Sequence, residues 1–221
     1  MRRSGITLIL QLAPAILLVM AGWGVDSLST FFTNPARTGF VVLVMAGAIT
    51  AALFGLDMHP LRKGSEPAGN QSLELGILLL LSLFLLWSLP FADRRNMLTI
   101  KQNHWRYLGL LLCSIGVSVR ILALKALGRQ FSAYVTLQPN HRLVRSGLYR
   151  RIRHPLYLSL LLLPTGIALV FGSYLALPIL GLATVFVRDR IRKEERLLAA
   201  RFGSEFEDYR RSTWRFVPLV L

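Results

Sequence analysis

The sequence predicts an all-α fold: a polytopic transmembrane helical bundle of about five to six spans, with a C-terminal helical hairpin and an amphipathic cytoplasmic helix. Three observations lead there. Hydrophobic residues make up 53% of the 221 residues, and the mean hydropathy is positive. Four apolar runs, at 6–23, 40–56, 73–91 and 108–124, are long enough to cross a hydrocarbon layer of about 30 Å, and a fifth and sixth, 156–171 and 174–187, are separated only by Gly172 and Ser173. Finally, the cations are sorted by side. With the N-terminus inside and six spans, inside segments hold twenty Lys and Arg and outside segments hold five. That is the positive-inside bias of an integral multi-pass protein whose polar C-terminal region faces the cytoplasm.

The same sorting disposes of a tempting alternative. A formal net charge of +15 suits a nucleic-acid binder, but the charge sits in loops that can share one membrane face, so a nucleic-acid partner is not expected. A lipid bilayer is. The four histidines and the single cysteine are scattered and form no metal-ligand spacing. Cys113 lies inside an apolar run and reads as a small buried residue. Nothing in the sequence fixes an oligomeric state.

Residues 1–127 read as scaffold. Arg2 and Arg3 ahead of the first run fit a signal peptide or a retained span, and the long apolar stretch without a small-residue cleavage site favours the span. Pro14 is expected to kink it. Asn34-Pro35 and His59-Pro60 mark turns, and 64–70 a polar loop. Asn70-Gln71-Ser72 matches a glycosylation acceptor but falls in an inside loop. Gly47, Ala48, Gly109 and Gly116 offer small faces for close helix packing. Segment 92–107, with Arg94, Arg95, Lys101 and Arg106, is unusually cationic for an outside loop. Arg120, near the inner end of its span, either snorkels to the phosphates or faces a pocket.

The chemistry is concentrated in 128–221, read as the binding and catalytic region. Gly128 to Phe131 ends the fourth helix, and Pro139-Asn140 and Ser146-Gly147 are turns. A short basic helix then leads to Pro155, which suits a helix's first turn and places His154 at its N-terminus, where free N–H groups favour an anion. Tyr157, three residues on, faces nearly the same way. Equally, Arg150, Arg151 and Arg153 could contact phospholipid, with Tyr157 an interfacial aromatic. After the hairpin the helix runs on without a breaker and becomes amphipathic at Arg188. Arg190 and Glu194 are about 40° apart around it, whereas Glu195 is displaced by about 140° from Arg190 and points elsewhere. The Arg–Glu pair is either a surface ion pair or the wall of a pocket opening toward His154.

The run from Leu143 to Tyr157, with Gly147, Tyr149 and Arg153-His154-Pro155-Leu156-Tyr157, resembles the signature of isoprenylcysteine carboxyl methyltransferases and their prokaryotic relatives. Arg190, Glu194-Glu195, Phe202-Gly203 and Tyr209 resemble that family's C-terminal motif, in the expected order around an apolar hairpin. Ser159 stands where the motif usually continues with glycine, and Leu148 where proline is common. The resemblance covers roughly the last 90 residues. It implies an integral-membrane methyltransferase that uses S-adenosylmethionine. Gln138, His141, Arg142, Leu143, Val144, Tyr149, His154, Pro155, Leu156, Tyr157 and Glu194 would line the cofactor, and Arg190 would face the methyl acceptor.

The expected acceptor is the carboxylate of a lipophilic, isoprenylcysteine-like or prenylated substrate. A carboxylate is ionised at neutral pH and needs no base, and a guanidinium suits its geometry. Two further readings stand beside this one. A phospholipid or other amine N-methyltransferase would need Glu194, Glu195 or His154 to take a proton. A non-catalytic protein would use the basic C-terminal helix to bind lipid or a partner.

Overall fold

The structure, a computed structural model, describes residues 15–53, 71–132, 134–135 and 142–216. Among them every long element is a helix, and strand pairing is limited to two isolated bridges. Helix α1 covers residues 15–23, and a short α2, Leu28–Phe31, follows a bend. The long helices are α3 (Pro35–Leu53), α4 (Gln71–Arg94) and α5 (Asn103–Leu127). A hairpin of α6 (Pro155–Val170) and α7 (Ala176–Phe202) leads into α8, Ser204–Ser212. Pro14, His59-Pro60 and the 64–70 loop lie outside the described residues.

Local chemistry sets the boundaries. The Asn34 side chain accepts the Ala36 N–H at 3.0 Å while Pro35 occupies the first turn, so the expected Asn-Pro turn is a cap for α3. Gly128 and Gly203, both at φ +51°, close α5 and α7. No breaker interrupts α7 between its apolar start and Phe202, as expected from the sequence.

Among the described residues only α4 and α5 are long and apolar enough by themselves to span a membrane. A third span results if the pair 25–31 and 35–51, bent by 106°, is counted as one. The fifth and sixth expected runs fall short. With 16 residues, α6 is about 24 Å long at about 1.5 Å per residue. In α7 the charged pair Arg188-Asp189 ends the apolar stretch within 13 residues of Ala176. Both helices are shorter than the runs because 171–175 forms the hairpin turn. The bundle's outer surface nonetheless remains hydrocarbon: Leu80, Leu111, Leu177 and Val185 are each more than half exposed.

Close packing holds α5 against α6. A Cβ on Gly109 would stand 2.5 Å from the Val170 nitrogen and 2.6 Å from the Gly166 oxygen, and one on Gly166 would meet Cys113 Sγ at 2.6 Å. Cys113 is fully buried in that seam, as expected. At one end of the bundle Trp23, Phe31, Phe40 and Phe171 form a chain of edge-on and tilted rings with centroids 5.4 to 6.3 Å apart.

The same end settles the cationic segment 92–107. Helix α4 runs to Arg94 and α5 begins at Asn103, leaving only 95–102 as a connection. Buried Asp93 receives Arg106 at 2.6 Å and Arg37 at 3.2 Å, and Arg94 pairs with Asp26 at 2.7 Å. Arg106 also donates to the Val170 carbonyl at 2.8 Å. Two of the segment's four cations, Arg94 and Arg106, are thus ion-paired in place. It joins the α6–α7 turn through the Thr99–Ser173 bridge and the Tyr174 N–H to Leu98 carbonyl bond.

Candidate functional site

The opposite end of the bundle holds a cavity of about 240 Å³. The 143–157 segment contributes Leu143, Val144, Tyr149, Arg153, His154, Leu156 and Tyr157 to its wall, and α7 contributes Arg190, Glu194, Leu197 and Leu198. Those four α7 positions lie on one helical face, at i, i+4, i+7 and i+8. The hairpin accomplishes what the sequence only permitted: it returns the Arg190–Glu194 face to the N-terminus of α6. Tyr157 faces both Arg190 and Glu194.

Arg142 and Pro155 are not among the wall residues. The Arg142 side chain is exposed while its N–H donates to Gln130, and Pro155 is buried as the first residue of α6. The resemblance implied that both line the cofactor, but Arg142 turns outward and Pro155 is packed into the first turn of α6. Gln138 and His141 lie outside the described residues.

His154 departs from the expectation of an open anion site. Its ring is buried, and Nε2 lies 3.0 Å from Glu195 Oε1. The anion drawn to this helix N-terminus is the chain's own carboxylate. Glu195 does point away from the Arg190 face, and this is where it points. Arg215 reaches its other oxygen at 2.8 Å and Arg153 approaches at 3.6 Å. Burial works to raise the Glu195 carboxyl, but the hydrogen bonds and charges of His154 and Arg215 prevail and hold it down at about 2.

A four-residue segment near the end of the described chain seals this corner. The His154 N–H donates to the Arg215 carbonyl, and in the Ile152–Trp214 bridge the Arg153 N–H donates to the Trp214 carbonyl while the Trp214 N–H donates to that of Arg151. Arg153 turns its guanidinium inward to the Thr213 and Arg210 carbonyls, so it leaves the lipid-facing patch. Arg150 and Arg151 stay exposed.

Several wall residues had not been read from the sequence: Leu75 and Leu78 of α4, Gln130 to Ser132, Tyr134 and Val135. Their placement depends on tertiary pairing. Gln71 clamps Val135 through both of its backbone groups, at 2.7 and 3.3 Å. Glu74 binds Lys193 at 2.8 Å and stands 3.9 Å from Arg190. Tyr209 of α8 donates to the Tyr149 carbonyl at 2.8 Å. Burial pushes the phenols of Tyr149 and Tyr209 upward, Tyr209 to about 12, so both remain neutral donors at ordinary pH. Arg120 also lines the wall, which decides its two readings in favour of the pocket. Ser159, where glycine was expected, is fully buried with its hydroxyl on the Leu156 carbonyl, so the extra atoms stay out of the cavity.

Such a cavity joins a carboxylate, three arginines and phenolic donors to apolar walls. It can pair with groups of either charge while covering apolar surface. Among the described residues no cluster of metal-ligating side chains exists.

Comparison with known proteins bears out the resemblance. Residues 108–200 match the Isoprenylcysteine carboxyl methyltransferase (ICMT) family. The chain is similar to the protein-S-isoprenylcysteine O-methyltransferase of Tribolium castaneum, 30% identical over 125 residues, which is 55% of this chain and 44% of the relative. With that of Schizosaccharomyces pombe it shares 31% over 112 residues, 49% of this chain and 47% of the relative. With that of Saccharomyces cerevisiae it shares 33% over 116 residues, 51% and 48%. The chain thus spans about half the length of these three relatives.

Proposed function

Since residues 108–200 form a segment of the isoprenylcysteine carboxyl methyltransferase family, we propose that the protein is an integral-membrane carboxyl O-methyltransferase that uses S-adenosylmethionine and acts on a prenylated or similarly lipophilic acid. One observation carries the reading. Both halves of the family-like motif, Tyr149 to Tyr157 and Arg190 to Glu194, converge on a single cavity.

S-adenosylmethionine, when bound, supplies a methyl group on a sulfonium, whose transfer to a carboxylate oxygen forms the ester and leaves a neutral thioether. The chain's residues suit the rest. Glu194 offers its carboxylate to a cationic or hydroxylated part of the donor, and Tyr149 and Tyr157 offer aromatic faces. Leu143, Val144 and Leu156 exclude water, as an in-line displacement between oriented reactants requires. His154 is tied to Glu195, so it serves as a positioning residue that fixes the start of α6. Arg190 orients the acceptor carboxylate. No proton needs to move, because the acceptor is already ionised at neutral pH.

We further read the bundle as crossing the membrane about five to six times. The connections 24–34, 95–102 and 171–175 gather at one end, and 128–154 and 188–216 at the other. The cation-rich second end is taken as cytoplasmic, with 128–221 as the region holding cofactor and acceptor.

Purified protein in detergent, incubated with methyl-labelled S-adenosylmethionine and an S-prenylated cysteine, should yield a label that mild base releases. Base-stable label would instead indicate amine methylation. Absence of saturable cofactor binding would refute both enzymatic readings.

A further inference from the structure

Helix α4 carries two carboxylates, one near each end. Asp93 is taken up by Arg37 and Arg106. Glu74 is held differently. It lies in the first turn of α4, on the face that also carries Gln71, Leu75 and Leu78. Gln71, pinned to Val135, holds that turn beside the polar cavity.

The two oxygens of Glu74 have different surroundings. Oε1 accepts from Lys193 at 2.8 Å, and Lys193 is shared with Asp189, also at 2.8 Å. Oε2 is buried, lies 3.9 Å from Arg190 Nη1, and has no hydrogen-bond partner among the described residues. At that distance Glu74 and Arg190 attract one another without a hydrogen bond. Arg190 is in the cavity wall and Glu74 is not, so the guanidinium stands between the cavity and this carboxylate.

That placement has a consequence for an acid bound on the cavity side. It would share Arg190 with Glu74, and one guanidinium divided between two carboxylates holds each less firmly. Methyl transfer turns the acceptor into a neutral ester and removes its claim on the guanidinium. Glu74 keeps its own charge, which Lys193 moderates from the far side.

We propose that Glu74 is a positioning residue that acts through Arg190. It supplies the counter-charge while no acceptor is bound, and it recovers the guanidinium once the acceptor has become an ester, so that the product leaves. This rests on the carboxyl-methyltransferase reading and adds to it a reset carried by α4, which lies outside the matched residues 108–200.

The test uses full-length protein in detergent with S-adenosylmethionine, an S-farnesylated N-acetylcysteine as acceptor, and its methyl ester as inhibitor. Glu74→Gln should lower the KM of the acid and strengthen inhibition by the ester, each about three- to tenfold, while kcat does not rise. Lys193→Gln removes the other half of the same ion pair and should shift KM the opposite way, because Glu74 then acts on Arg190 undivided. In an Arg190→Gln background, Glu74→Gln should leave KM unchanged. A mere tether between α4 and α7 would make Glu74→Gln and Lys193→Gln alike, both raising KM or both leaving it alone, and either result would overturn the proposal. So would a fall in KM for Glu74→Gln that persists without Arg190. Wild-type protein that binds cofactor but methylates no acid would refute the carboxyl-methyltransferase reading itself, a different result from these.

Discussion

Replacing Glu195 by glutamine tests the corner that fixes the start of α6. The substitution keeps size and hydrogen-bonding capacity but removes the charge facing His154 at 3.0 Å and Arg215 at 2.8 Å. In the folded chain the carboxyl titrates at about 2, against an ordinary 4.5. The folded state therefore binds fewer protons than the unfolded state between those values, and the pair stabilises folding at higher pH. About 1.36 kcal/mol per unit gives about 3 kcal/mol, fully present above pH ~4.5 and lost as pH falls through ~2. Near pH 3 about half should remain. For a chain of this size, that is a drop in Tm of roughly 6 to 12 °C for Glu195→Gln near pH 6.5, shrinking toward pH 3. Thermal unfolding in detergent, followed by tryptophan fluorescence across that range, measures it. A Tm difference that is absent, or constant with pH, would show that the charge of Glu195 is not what holds the corner.

Other outcomes follow from the same geometry. Glu194→Ala should raise the Kd for S-adenosylmethionine about tenfold or more, whereas Arg190→Ala should spare it and depress turnover; calorimetry and labelled-methyl assays separate the two. Asp93→Asn strands the buried guanidiniums of Arg37 and Arg106 and should cost about 3–5 kcal/mol, partly recovered when Arg106 is also replaced by methionine, as read by thermal unfolding. Gly109→Leu puts side-chain atoms where the α6 backbone lies and should abolish monodisperse protein in size-exclusion chromatography. Gly181→Ala, with no atom within 4 Å of the added carbon, should be tolerated.

How much of this was legible in the sequence depends on range. Periodicity and composition determine helices, so α3 to α7 could be read with their approximate limits. Helical phase assigned Glu194 and Glu195 to different directions, and the structure agrees because α7 is unbroken from Ala176 to Phe202. Span count was legible only in part, because the turn at 171–175 takes residues from the ends of both neighbouring runs. Partners across space were invisible: nothing local says that Glu195 meets His154, 41 positions away, or that Asp93 absorbs Arg37 and Arg106. Arg142 looked equivalent to its neighbours because irregular chain has no period from which to read a direction, and the burial of Pro155 at the start of α6 depends on what packs over it. Arg120 could be flagged as a misplaced charge, yet only the packing of α5 against its neighbours reveals that it lines the polar cavity.

The bridge between Ile152 and Trp214 also has a bearing on the order of synthesis. A chain emerging from the ribosome completes α4, α5 and the apolar hairpin well before Trp214 and Arg215 are made. Until then His154 and Arg153 lack the backbone partners that cap them, and Glu195 lacks one of its two cations. The nascent protein can therefore be inserted and packed while its polar cavity still has an open corner. The corner at the start of α6 is complete only once the 213–216 segment docks.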